Sequence, residues 1–391
     1  MKATRRRKVL AAGAFISLGI MLMLGCGKGG QTDNANTPKD PKEPDTSNFG
    51  DTPIAIDMEN EVGVTINFPE RVTDETIEEL KENGITYVRM FFYYPFNSDG
   101  STPSLNYITN KKIAKKFHDA GFKIMAQSFW PGGRGYDAAT NSIRWISNLP
   151  EVYEDFDDEY FYKIAQAATK YMAKDLADIC STWLISNEID ISTYTGDMTF
   201  EQIVRYVEAC TKGVKEGNPN ASCGVNMLVA EKEGWSKRFV DALYKEEPLL
   251  DWLGLDGYYA TLQTGGPEKW EYYINTFYEA AQVPIVITEW SYSSAESDPL
   301  GTCKFQWEGH GNRGQAVQAE YVTACMDIFA KHPEVIGTIW YALYDQDEVC
   351  WECGNPECNL YSSWGLLNVD GSPKPSLAAM SEASKVFRTR E

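Results

Sequence analysis

Two glutamates stand where a carboxylate is costly unless it is used. One closes the run Trp183, Leu184, Ile185, Ser186, Asn187, Glu188; the other closes Ile285, Val286, Ile287, Thr288, Glu289. A charged group at the end of an apolar stretch must be paired or put to work. Two carboxyls facing one another suit glycosidic hydrolysis, in which one protonates the leaving oxygen and the other attacks or activates water. Few other chemistries compete. Only three His occur among 391 residues. His118 lies in a helical pattern, His332 precedes Pro333, and His310 is in a loop; none forms an HExxH frame or a multi-His metal site. No phosphate-binding glycine motif is present, and no cofactor or metal is expected. The formal charge of -20 argues against a nucleic-acid partner.

The elements that must position these acids follow from periodicity. Short apolar runs recur at Gly63–Asn67, Thr86–Phe92, Phe122–Phe129, Thr182–Glu188, Ser222–Val229, Asp251–Tyr258, Pro284–Trp290 and Val335–Tyr344. Each reads as a strand buried on both faces. Amphipathic stretches lie between them. Thr73 to Gly84 has an N-cap and a C-terminal glycine, and Thr199 with Gln202 forms a capping box. Ile203, Val207, Cys210 and Val214 follow as one apolar helix face. Helices are also expected at Lys111–Ala120, Tyr160–Ala177, Trp235–Lys245, Lys269–Ala281, Gln315–Lys331 and Ser376–Arg388. Eight strands, each followed by a helix, predict an α/β fold, a single-domain (β/α)8 TIM barrel. A doubly wound open sheet is the alternative. In a barrel the working face lies at the C-terminal strand ends, which is where both glutamates fall.

With that context the resemblance becomes specific. Asn187-Glu188 ending the fourth barrel strand and Glu289 ending the seventh resemble the large clan of cellulase-like (β/α)8 retaining glycoside hydrolases, over roughly residues 55–388. The resemblance implies Glu188 as general acid/base, Glu289 as nucleophile, and Asn187 as a hydrogen-bond partner of the sugar 2-hydroxyl. Arg89, in Tyr87-Val88-Arg89-Met90, is similar to the arginine that supports the nucleophile. Leu255-Asp256-Gly257-Tyr258-Tyr259 resembles the strand that offers it a tyrosine hydroxyl; Tyr258 is preferred and Tyr259 is the alternative. Trp340 resembles the floor of the sugar subsite. Many clan members carry a His near the end of the third, fourth or sixth strand; here the third ends Gln127-Ser128-Phe129-Trp130. The mechanism implied needs Glu188 protonated at rest and carboxyls about 5–5.5 Å apart.

Aromatics make up 13% of the chain. Phe91, Phe92, Tyr93, Tyr94, Phe129, Trp130, Trp290, Tyr292, Trp340, Tyr341 and Tyr344 fall at or just past strand ends. Sugar rings pack their C–H faces on such rings. Trp130 and Trp307, in long polar loops, are the preferred subsite candidates, and the polar insertion from Trp130 to Asp155 is expected to shape one cleft wall.

The N-terminus reads as an address. Lys2, Arg5, Arg6, Arg7 and Lys8 precede the apolar Val9–Leu24, and Met23-Leu24-Gly25-Cys26 resembles a bacterial lipobox. Residues 1–25 are expected to be a signal peptide, Cys26 a lipidation site, 26–52 a flexible tether and 53–391 the catalytic domain. Without the leader, 31 basic residues face 56 acidic ones, a formal charge of -25. The expected place is extracytoplasmic, lipid-anchored to a bacterial membrane or cell surface, as a monomer.

Nine Cys are present. Cys210 and Cys325 lie on apolar helix stripes, and Cys180 and Cys223 flank strand starts. Cys303 with Cys350, Cys353 and Cys358 occupies neighbouring loops. Two disulfides or a structural zinc knuckle both fit that spacing, with export favouring disulfides. The substrate class is a β-glycan or oligosaccharide, with cellulose-, mannan- and xylan-type chains all open. A non-catalytic glycan-binding lipoprotein and a transglycosylase are the competing readings.

Overall fold

The computed structural model describes residues 56–97, 99–137, 142–149, 156–228, 233–245, 249–296, 314–347 and 361–390. The leader, Cys26, the tether, Cys303, Trp307, Cys350, Cys353 and Cys358 lie outside them.

In chain order the elements are β1 (Glu61–Thr65), α1 (Asp74–Glu82), β2 (Tyr87–Phe91), α2 (Leu105–Asp119), β3 (Lys123–Gln127), β4 (Gly132–Asp137), β5 (Ser142–Ser147), α3 (Glu159–Asp175) and β6 (Thr182–Leu184). There follow α4 (Ser192–Thr195), α5 (Phe200–Gly217), β7 (Ser222–Met227), α6 (Glu233–Tyr244), β8 (Trp252–Gly257), α7 (Lys269–Ala281), β9 (Ile285–Trp290), α8 (Gln315–Phe329), β10 (Val335–Trp340) and α9 (Pro375–Thr389). Eight parallel strands close into a barrel in the order β1-β10-β9-β8-β7-β6-β3-β2. This is a single (β/α)8 barrel. Among the described residues no helix is long and apolar enough to cross a membrane.

The expected caps form. Thr199 Oγ1 accepts the Gln202 N–H at 3.2 Å while Gln202 Oε1 accepts the Thr199 N–H at 2.9 Å. Helix α2 and the insertion after Trp130 differ from expectation. Helix α2 begins at Leu105, capped by Ser104, rather than at Lys111. Its first turns expose Leu105 (72%) and Ile108 (51%), so the apolar period that marks a helix is blurred there. The insertion after Trp130 contains an antiparallel hairpin, β4 with β5. Its Gly-rich first strand hid the alternation by which strands are recognised.

The barrel interior is layered. Met58, Tyr87, Met125, Leu184, Trp252, Val286 and Ile339 form an apolar plug at its base. Gly224 makes room for it, because a Cβ there would lie 2.3 Å from the Trp252 ring. Side chains alternate along a strand, so residues two steps beyond the plug point into the same lumen one layer higher. That layer holds Arg89, Gln127, Asn226 and Thr288, and it is polar and buried.

Candidate active site

The fourth barrel strand is short because its backbone leaves the sheet. β6 stops at Leu184, and Ser186 and Glu188 take positive φ values of 64° and 36°. Such conformations cost roughly 1–3 kcal/mol in non-glycine residues and persist only where neighbours enforce them. The neighbours are side chains of the adjacent strands. Ser128 Oγ accepts the Ser186 N–H at 3.0 Å, and Gln127 Nε2 donates to the Ser186 carbonyl at 2.9 Å. Asn226 Oδ1 accepts the Glu188 N–H at 2.8 Å. This turn carries Asn187 and Glu188 over the barrel mouth.

Glu289 ends β9 on the opposite side. Arg89 Nη2 donates to its Oε1 at 2.5 Å, and the Tyr258 hydroxyl donates to its Oε2. Tyr259 instead packs in the outer layer, edge-on to Trp270 and stacked on Tyr273. Of the two tyrosines, Tyr258 therefore reaches Glu289. Arg89 is fully buried and saturated, donating also to Gln127 Oε1 at 2.8 Å, the Thr288 carbonyl at 2.9 Å and Asn187 Oδ1 at 3.1 Å.

Asn187 Oδ1 accepts from three donors, Arg89 Nη2, Gln127 Nε2 at 2.9 Å and Asn226 Nδ2 at 3.2 Å. The amide orientation is thereby fixed, with its oxygen turned into the protein. Gln127 thus links Arg89, Ser186 and Asn187 at the end of the third barrel strand.

Glu188, Asp256 and Glu289 each place a carboxyl oxygen within 4.8 Å of the other two. Glu188 is pushed well above the usual carboxylate range, first by burial and then by the charge of Glu289, against a smaller opposing pull from Arg89. The Tyr258 phenol is raised by burial and by Glu289, so it stays a donor. Burial alone would lower the Arg89 pKa; the charge of Glu289 leads the effects that reverse this and keep it cationic.

One expected site residue lies elsewhere. Trp340 is 0% exposed and sits on Trp290 with ring centroids 4.8 Å apart, its Nε1 donating to the Trp364 carbonyl at 2.9 Å. A β-bulge at Thr288 and Glu289, where the register of β9 shifts against both neighbouring strands, lets both side chains face the lumen; alternation then turns Trp290 toward the helices, and Trp340 pairs with Trp290 in register. Trp340 is thus a wedge between barrel and helices and not the sugar floor. Tyr341, the next residue, takes the inward position: its ring is 6.3 Å from Tyr258, and Glu289 and Glu188 both bear on its phenol. Strand alternation carried that signal.

Trp130 is 4% exposed and packs edge-on among Phe91, Tyr93 and Tyr194, which are half-buried. Tyr194, on the short helix α4, also feels the Glu188 and Glu289 charges. Asp256 went unassigned in the sequence although it meets the criterion that found the two glutamates, a carboxylate near the end of an apolar strand. Cys180, Cys210, Cys223 and Cys325 are free and buried, and burial pushes the first three up to about 12, so they are inert.

Residues 50–341 match the sequence profile of glycosyl hydrolase family 53. The chain belongs to that family. It is a glycosidase acting on O-glycosyl bonds, a retaining β-glycoside hydrolase on a (β/α)8 barrel. No curated protein matches it in sequence. Among solved structures, a GH5_18 enzyme from Streptomyces cattleya in complex with GlcNAc aligns with TM-score 0.61 and 16% identity over 85% of this chain and 82% of its own. The GH53 catalytic domain of Ignisphaera aggregans aligns at 0.59 and 16% over 84% and 98%. An exo-β-1,4-mannosidase from Opitutaceae bacterium strain TAV5 gives 0.59 and 16% over 84% and 60%. At these identities the likeness is one of fold.

Proposed function

We propose that Glu289 is the nucleophile and Glu188 the general acid/base of a double displacement on a β-linked glycan. The observation that carries this reading is the asymmetry of the pair. Glu289 accepts from a guanidinium and a phenol, while burial and neighbouring charges favour a proton on Glu188. In the first step Glu188 protonates the glycosidic oxygen as Glu289 Oε attacks the anomeric carbon, giving a glycosyl ester. In the second, Glu188 takes a proton from water, which displaces Glu289. Oxygen separations within 4.8 Å support the closely spaced geometry of retention over the wide gap of roughly 6.5–9.5 Å used for inversion.

The Asn187 amide NH2, left over when its oxygen takes three internal donors, is suited to donate to a sugar hydroxyl. Tyr341, with the cluster of Trp130, Tyr93 and Tyr194, offers aromatic faces near the carboxyls. The substrate in this proposal is a polysaccharide or oligosaccharide of cellulose, mannan or xylan type. The basic leader, apolar stretch and Cys26 support a lipid-anchored, extracytoplasmic enzyme.

The test is an activity panel over soluble β-glycans with wild type and Glu289→Ala. Loss of all activity in the variant, with an added small anion restoring cleavage and inverting the product, is the expected result. A variant that matches wild type on every cleaved substrate removes Glu289 from the mechanism.

A further inference from the structure

Asp256 is 0% exposed, lies on β8 and places a carboxyl oxygen within 4.8 Å of one on each glutamate. Three buried carboxyls therefore share one site, and among the described residues Arg89 is the cation paired within it. Arg89 is committed to Glu289. Asp256 pairs only with neutral groups: Asn226 Nδ2 lies 2.5 Å from Oδ2 and Thr288 Oγ1 lies 2.5 Å from Oδ1. Gly254, two residues earlier on the same strand, leaves room for both partners, since a Cβ there would lie 2.7 Å from Thr288 Oγ1 and 2.9 Å from Asn226 Cβ.

These two partners lead to the two sides of the site. Asn226 also holds the Glu188 N–H and reaches Asn187 Oδ1. Thr288 precedes Glu289, and its carbonyl accepts from Arg89. Asp256 thus sits between the turn that carries one catalytic group and the strand end that carries the other.

We propose that Asp256 is a positioning residue that remains a neutral carboxylic acid at working pH. Its proton lies on Oδ1 and is donated to Thr288 Oγ1, whose own hydrogen turns toward the Leu255 carbonyl oxygen 3.5 Å away. Oδ2 keeps the amide hydrogen bond from Asn226. The site then holds two protons on three carboxyls, and the Glu289 carboxylate is balanced by Arg89. A carboxylate without a cation in a buried site takes up a proton in preference to remaining charged. Burial and then the Glu289 charge push Asp256 well above its usual range, outweighing Arg89, Thr288 and Asn226. The other titratable groups around the cluster are Asp190, Tyr194, Tyr258 and Tyr341, none of them a cation.

This inference rests on the roles proposed for Glu188 and Glu289, and its test separates the two. Asp256→Asn reproduces the neutral acid, with an amide NH2 facing Thr288 and an oxygen facing Asn226; Asp256→Ala does not. Asp256→Ala is expected to lower kcat by about 30-fold or more, and Asp256→Asn to restore most of it with the basic limb of the pH–rate profile within about 0.3 unit of wild type. If Asp256 were charged, removing the charge in Asp256→Asn would let Glu188 ionise more easily and move that limb down by about a unit or more. That shift, or an Asn variant as impaired as Ala, overturns the proposal. The second measurement is infrared spectroscopy of the protein labelled with 13C-carboxyl aspartate. A protonated-carboxyl band that persists across the active pH range in wild type supports the proposal; its absence overturns it, whether or not the variants fold. The band does not depend on activity, so a Glu289→Ala enzyme that stayed active would remove the catalytic reading and leave the Asp256 result standing.

Discussion

Asn226 Oδ1 accepts the backbone N–H of Glu188 at 2.8 Å. A side chain from β7 thereby supplies the bond that a strand ladder no longer makes once β6 ends at Leu184. The same amide donates to Asp256 and to Asn187. Asn226 therefore fixes the height and tilt of the turn on which Glu188 rides.

Replacing it should uncouple position from composition. Asn226→Ala is expected to lower kcat by about 10²-fold while changing KM far less, because 1 Å of misplacement affects the transition state most. The buried Glu188 N–H would also lose its partner, destabilising the fold by about 1–3 kcal/mol, measurable by denaturant unfolding. An unchanged kcat would show that the turn holds itself.

Removing the acid leaves a different signature from removing the nucleophile. Glu188→Gln should cut kcat by roughly 10²–10⁴ on a natural glycoside. On an aryl glycoside whose leaving group needs no proton, the first step should be nearly spared. Equal losses on both substrates would argue against Glu188 as the proton donor.

Arg89 is buried and ion-paired, so its loss is structural and chemical together. Arg89→Met leaves Glu289 without its cation and should destabilise the protein by about 3–5 kcal/mol. Arg89→Lys should restore little, since one ammonium cannot serve Gln127, Asn187, Thr288 and Glu289 in the planes that a guanidinium does. A thermal melt with kcat in parallel checks both.

The contribution of Glu188 to stability should fall as pH rises above about 4. Glu188 is raised well above its ordinary value in the fold, so between the unfolded value, near 4.3, and the raised one the native state binds the extra proton. There the slope of unfolding free energy with pH is negative, and each unit of elevation contributes about 1.4 kcal/mol of loss. Glu188→Gln should flatten that slope in a series of melts. A variant with the slope of wild type would mean that Glu188 titrates normally.

Trp340 and Tyr341 should separate packing from binding. Trp340→Phe removes a wedge and an indole hydrogen bond, so the melting temperature should drop with kcat/KM within about threefold. Tyr341→Ala should do the reverse, raising KM or lowering kcat with a smaller loss of stability. The opposite pattern would return Trp340 to the cleft.

Most of the barrel was legible because strands buried on both faces read as apolar runs and the caps at Thr73 and Thr199 are local. The two glutamates were legible because charge in such a run stands out. Asp256 stands out in the same way, but pairing two acids satisfied the chemistry and the third was passed over. Trp340 was misplaced because resemblance aligns neighbours, while the face of a strand turns over with every residue. The hairpin β4–β5 and the start of α2 were hidden by glycines and by exposed apolar residues, which weaken the periodic signal.

The plug of Tyr87, Met125, Leu184, Trp252, Val286 and Ile339 makes the barrel a vessel with a sealed base. Among the described residues this plug backs the base, so the mouth is the side from which both water and a sugar chain come to the three carboxyls. A seated substrate therefore acts as its own stopper. The proton count fixed before binding then persists through the first chemical step, until departure of the leaving group readmits water.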